Sequence, residues 1–169
     1  MLPKVGKTDF ASYRSWRPIA LLSCLGKGLE RIVARRMVWT ALQAGLISSQ
    51  HAGAVPKRSA MDLVASLTHD IELALANGQK ATLVTLDVKG AFDALLKNRL
   101  LSRMNSQGWH PAAIKLTDSF LTSRKITTRL EETITEPREV LCGTPQGSLW
   151  SPILYILYLY ELIGKNGSR

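Results

Sequence analysis

Chemistry in this chain is concentrated in a few polar residues that stand where a sequence pattern leaves them without an ordinary structural job. The run Ala81, Thr82, Leu83, Val84, Thr85, Leu86 is apolar, β-branched and uncharged, and reads as a buried strand that ends on Asp87. A carboxylate at the end of a buried strand is costly unless it is hydrated, paired or bound to a cation. Gly90 and Ala91 then let another group approach the backbone, and Phe92 sets a flat ring five residues past the acid. Asp93 follows directly and reads as the N-cap of the next helix. A second such place is Gly143-Thr-Pro-Gln-Gly-Ser148, where glycines and a proline surround Gln146 ahead of an almost wholly apolar helix. A loop of that kind is where functional groups tend to sit. A third is Arg17, held extended by the proline that follows it.

The elements that would position these residues follow from periodicity and end signals. Turn-rich, basic sequence leads into a predicted strand over Ile19 to Leu22. Residues 26–43 carry Leu29, Ile32, Val33, Met37 and Leu42 near helical spacing, with Gly45 as the stop. Gly26-Lys27 is not a phosphate loop, because the upstream glycine and the trailing Ser or Thr are missing. A Gly- and Pro-containing loop then feeds a helix capped by Ser59 with Asp62 at the third position, running on Val64, Leu67, Ile71 and Leu75 to Asn77-Gly78. Two helices are predicted near 95–107 and 111–122, the second opened by Pro111. Strands at 125–131 and 138–141 make a hairpin that turns through Thr133 to Pro137 and delivers the Gln146 loop. The class is α+β, with helices on one side of a mostly antiparallel sheet.

Three motifs together resemble reverse transcriptases, in the form found in non-LTR (LINE-type) retrotransposons. D-x-x-x-A-F-D at Asp87 to Asp93 is similar to the first catalytic motif, W-R-P-I-x-L-L at Trp16 to Leu22 to the fingers motif, and P-Q-G-S at Pro145 to Ser148 to the second catalytic motif. The resemblance implies that Asp87 is a ligand of catalytic Mg²⁺ and that Phe92 packs under the sugar of the incoming nucleotide, excluding a 2′-hydroxyl. Phosphoryl transfer to a primer hydroxyl uses two hard cations, which oxygen-only ligands suit. It implies that Arg17 and the upstream Lys4 hold the triphosphate, a task for which a planar guanidinium is suited. Lys7 stands near Lys4, and both lysines also fit solvated positions on a surface loop. Gln146 would contact the nucleotide, and Gly147 would let the template–primer base pair lie against backbone. Residues 53–63, GAVPKRSAMDL, resemble the second fingers motif and are most similar in form to LINE-type elements of fungi. Ala54 and Val55 replace the family's Phe and Arg there, while Lys57 and Arg58 remain as template-contact candidates. Leu149-Trp150 departs by one bulky residue from the family pattern. The implied partners are an RNA template, a DNA primer and deoxynucleotide triphosphates.

Composition agrees with such partners. The 169 residues are 46% hydrophobic and carry a formal charge of +9, which favours a polyanion through counterion release. Up to Arg36 the basic residues are Lys4, Lys7, Arg14, Arg17, Lys27, Arg31, Arg35 and Arg36, against Asp9 and Glu30. Cys24 and Cys142 make no disulfide framework, and the three scattered histidines add no zinc spacing. No signal peptide is expected, since Met1 leads directly into Leu2-Pro3-Lys4 with no apolar run, and no membrane span, since Pro145, Gln146, Gly147, Ser148, Ser151 and Pro152 break the uncharged stretch from Leu141 to Tyr160. The expected location is intracellular, and nuclear for an intact element. After Gln146 the only acidic residue is Glu161, so the family's aromatic-Ala-Asp-Asp turn and its thumb are not in these residues. The expectation is a piece with mainly fingers in 1–80 and mainly palm in 81–169, inactive alone. A non-catalytic nucleic-acid-binding remnant is the alternative.

Overall fold

A computed structural model of the chain describes residues 1–6, 8–12, 15–48, 51–130 and 132–163. Lys7 and Arg14 lie outside the described residues. Short polar side chains and glycines set the helix ends. Helix α1, Cys24–Gln43, begins where the Ser23 side chain accepts from the Gly26 N–H at 3.0 Å. It stops at Ala44 because Gly45 turns left-handed at φ 67°, so that Gly45 N–H reaches Leu42 O and Leu46 N–H reaches Ala41 O. Helix α2, Ala60–Ala76, carries the predicted capping box: Asp62 N–H donates to Ser59 Oγ at 3.2 Å, and Ser59 N–H donates to the Asp62 carboxylate at 2.8 Å. Helices α3, Lys97–Ser106, and α4, Pro111–Leu121, confirm the two predicted near 95–107 and 111–122. His110 Nδ1 caps α4 by accepting from Ala112 N–H at 3.2 Å. Helix α5 is Ser151–Ile163.

The core forms around α5. Ile153, Leu154 and Leu157 are fully buried against Leu95, Leu100 and Met104 from the α3 region, Thr117 and Leu121 of α4, and Met37, Val38 and Ala41 of α1. Burying each such large aliphatic side chain contributes on the order of 1.5 to 3 kcal/mol. Trp150 lies inside this core, with its ring 4.7 Å from Phe120 and its N–H directed at Met37 Sδ. Gln107 ties the layers together: it donates to Leu157 O and accepts from Trp109 Nε1, both at 3.0 Å.

The strands are short and all antiparallel. Strand β1, Leu2–Pro3, pairs with β2, Trp16–Arg17, so that Leu2 faces Arg17 and Pro3 faces Trp16. The predicted hairpin exists as two ladders, β3 (Lys125–Ile126) with β6 (Arg138–Glu139) and β4 (Arg129–Leu130) with β5 (Thr133–Ile134). Between the ladders, residues 127–128 face 135–137, which is a bulge with one extra residue. The reversal therefore falls between Leu130 and Thr133, and the predicted turn over Thr133 to Pro137 is the bulged arm instead.

Two predicted strands are absent. Residues 79–88 have no regular secondary structure and carry no ladder, and Leu83, Val84 and Leu86 are 60%, 75% and 93% exposed. β-branched composition favours a pleated, half-buried surface but cannot supply a hydrogen-bonding neighbour, and none of the described residues does so here. The segment predicted as a strand at Ile19 to Leu22 is also irregular, and its Ala20 N–H goes to Gln146 O rather than to a neighbouring strand. Asp93 does not cap α3, whose N-cap is Leu96. Helix α2 buries none of its residues, the apolar stripe of Val64, Leu67 and Leu75 included. The α+β class stands, with small antiparallel ladders in place of one sheet. Among the described residues no helix is long and apolar enough to cross a membrane.

Candidate functional site

The loop from Gly143 to Ser148 is the junction at which distant parts of the chain meet. Gly143, at φ 80°, lies so close to the turn at Phe92 and Asp93 that a Cβ there would sit 2.7 Å from Phe92 O and 2.9 Å from Asp93 Cα. Only glycine permits that approach. Two short backbone bonds fasten it, Gly143 N–H to Leu95 O and Thr144 N–H to Phe92 O, each 2.7 Å. Arg124 closes the other side by donating from Nη2 to Gly143 O at 2.6 Å and Cys142 O at 3.2 Å, and from Nε to Leu121 O. Burial pushes its guanidinium below the usual arginine value, yet arginine remains charged.

Gln146 is held at both ends. Its backbone carbonyl accepts from Ala20 N–H at 2.7 Å, which lays the segment after Arg17 across the loop. Its side-chain amide donates to both oxygens of Asp93, at 3.0 and 3.3 Å. Gly147, at φ 104°, packs against that same segment, where a Cβ would meet Ala20 O at 3.3 Å. Beneath the loop, the buried carboxylate of Glu30 on α1 accepts from Ser148 Oγ at 2.6 Å and Leu149 N–H at 3.0 Å. Ser148 Oγ in turn accepts from the N–H groups of Trp150 and Ser151, so it caps the start of α5.

Phe92 is half-buried, with its ring 5.5 Å from that of Tyr155 at a 45° tilt. The Tyr155 hydroxyl is buried and has no hydrogen-bond partner among the described residues. Burial raises its pKa, and the nearby carboxylate of Asp87 adds to the rise. Asp87 itself is exposed on the ladderless segment. Arg17 is exposed on β2, and Lys4 N–H donates to Ser15 O at 2.8 Å, so the β1–β2 ladder continues to Lys4. Lys4 is two residues from Leu2, the partner of Arg17, which puts Lys4 and Arg17 on one face of that ladder.

The structure thus brings Phe92, Gln146 and Gly147 together with the segment following Arg17, and brings Lys4 to Arg17. Lys57 and Arg58 lie apart, on the loop between α1 and α2. Lys57 is exposed at a left-handed turn position of φ 63°. Arg58 uses Nη1 to brace the loop through Ser48 O at 3.0 Å and His51 O at 2.7 Å. Val55 faces the core at 5% exposure, so this position points inward. The loop borders an apolar groove of about 320 Å³, lined by Val38, Pro56, Leu149 and Pro152 with Arg31 and Arg35 among its walls.

Sequence reasoning missed Glu30, Arg124, Tyr155 and the partner of Asp93. Only Glu30 left a signal, since it shares the helical stripe of Val33, Ala34, Met37 and Ala41, where an acid demands a partner. As to a metal, no group of three or more His, Cys, Asp or Glu suited to holding one occurs among the described residues. An aspartate oxygen fits Mg²⁺ in kind, but Asp87 alone does not make a two-ion centre.

The family described as reverse transcriptase (RNA-dependent DNA polymerase) matches residues 3–168. The chain is 30% identical over 166 residues to the probable RNA-directed DNA polymerase from transposon BS of Drosophila melanogaster, covering 98% of this chain and 18% of that protein. It is 27% identical over 162 residues to the probable RNA-directed DNA polymerase from transposon X-element of the same organism, covering 96% and 18%. A third relative, 25% identical over 157 residues, is the transposon TX1 uncharacterized 149 kDa protein of Xenopus laevis, of which 12% is covered. The chain therefore spans less than a fifth of the length of these relatives. No solved structure matches it.

Proposed function

Because the chain belongs to the reverse transcriptase (RNA-dependent DNA polymerase) family, as a reverse transcriptase domain of the LINE type, we propose that its residues serve RNA-directed DNA synthesis by a retrotransposon. In this reading residues 1–80 are mainly fingers and 81–169 mainly palm. Asp87 is a Mg²⁺ ligand, and Phe92 gates the sugar. Gln146 contacts the nucleotide and Gly147 supports the base pair, while Arg17 with Lys4 holds the triphosphate. Lys57 and Arg58 meet the template, with Lys57 the freer of the two because an Arg58 nitrogen braces its own loop. RNA template, DNA primer and deoxynucleotide triphosphates are the partners. Bound Mg²⁺ would supply charge neutralisation at the phosphates.

One observation carries the reading: three motifs far apart in sequence are bonded to one another at a single junction, Ala20 to Gln146, Gln146 to Asp93 and Thr144 to Phe92. Unrelated surface motifs would have no reason to converge. The test appends the following segment of a relative to this chain and compares ribonucleotide with deoxynucleotide incorporation. Phe92→Val should raise the ribonucleotide share, while Asp87→Asn should lower both by orders of magnitude without a similar loss of template binding. An unchanged ratio in a folded, active Phe92→Val variant would remove Phe92 as the gate.

A further inference from the structure

We propose that Asp93 is a positioning residue that locks the side-chain amide of Gln146 in one orientation, so that the carbonyl edge of Gln146 faces the nucleotide. This rests on reading Gln146 as the nucleotide contact. The first ground is that Asp93 has no other task. It sits in a turn in which its own N–H and that of Ala94 both reach Gly90 O at 2.9 Å, and α3 begins only at Lys97. Its carboxylate is exposed, so it is not held there by packing.

The second ground is chemical. A glutamine amide has a donating and an accepting end that resemble each other in shape, and its neighbours decide which way it points. An ionised carboxylate only accepts, so Gln146 must turn its NH₂ toward Asp93, at 3.0 and 3.3 Å from the two oxygens. Oε1 is thereby directed elsewhere. The backbone of Gln146 is fixed independently by Ala20 and its loop by Phe92 and Leu95, so only the terminal amide remains free to flip. Asp93 also follows Phe92 in the chain. The ring and the amide are thus set by one turn, and a shift of that turn would move both.

The experiment uses the chain as it is, in two arms. The Gln146 side-chain NH₂ resonances, assigned by their loss in Gln146→Ala, should show one proton shifted downfield and protected from exchange, and should return to the free-glutamine position in Asp93→Ala. Identical resonances in both proteins would overturn the proposal whatever the chain binds. The second arm measures binding of a fluorescent deoxyadenosine triphosphate with Mg²⁺. Gln146→Ala and Asp93→Ala should each weaken it about tenfold, with the double variant no worse than either, as for groups acting as one unit. Asp93→Asn, which can bond to either end of the amide, should weaken it as well while leaving the melting temperature unchanged; a purely structural contact would tolerate that change. Weaker binding in Gln146→Ala but not in Asp93→Ala would sink the proposal and leave the reading of Gln146 standing. No effect of Gln146→Ala would sink that reading instead.

Discussion

Glu30 and Tyr155 both carry buried polar atoms, yet they call for opposite expectations. Glu30 satisfies Ser148 Oγ and Leu149 N–H, so Glu30→Ala strands one buried and one part-buried donor and should cost about 1 to 3 kcal/mol, whereas Glu30→Gln keeps an acceptor and should cost less. The Tyr155 hydroxyl satisfies nothing among the described residues, so Tyr155→Phe should be neutral or stabilise by up to about 1 kcal/mol. Chemical denaturation of the three variants reads this directly, and a Tyr155→Phe loss comparable to that of Glu30→Ala would contradict it. The motifs at Asp87, Phe92, Gln146 and Gly147 were legible because each lies within a few residues. The partners of Glu30 and Asp93 were not, because they lie 118 and 53 residues away and only folding brings them close.

Helix ends were legible for the same local reason. Ser59 with Asp62, Gly45 and Pro111 act within one turn of themselves, and each appears where the sequence placed it. Strands depend on a neighbour from elsewhere, which is why 81–86 and 19–22 read as strands and are not. Two exposed carboxylates attached to helices give this scale its prediction. Asp62 is held below 3.8 by the Ser59 side chain and then its backbone N–H, and Asp118 chiefly by Lys97, 3.0 Å away, and then Thr122. A depressed folded-state pKa contributes stability that is present above the unfolded value and lost as pH falls through the folded one. The melting temperature should therefore fall below about pH 3.8, and less steeply in Ser59→Ala with Lys97→Met; solvent screening keeps the effect small. Equal slopes in both proteins would show that other groups govern acid unfolding.

For the whole molecule, charge and the acid inventory set the expectations. Arg17, Lys27, Arg31, Arg35, Arg36 and Lys57 are exposed, and the chain carries +9. Residues 1–169 should bind single-stranded RNA and DNA with little sequence preference and a log–log salt slope of at least about 2 in magnitude. The same polypeptide should not extend a primed RNA template with Mg²⁺, because among the described residues no group of three or more His, Cys, Asp or Glu is placed to hold metal ions. Salt-independent binding would refute the first expectation, and template-dependent incorporation the second. The unpaired stretch through Leu83, Val84 and Leu86 bears on handling as well as on fold. An exposed, β-branched segment without a ladder partner is a template for intermolecular pairing, the start of cross-β aggregation, and it is also the kind of sequence that holdase chaperones grip. Lys80 on one side and Asp87 and Lys89 on the other flank it as charged gatekeepers, whose desolvation in a stack of copies would oppose that fate.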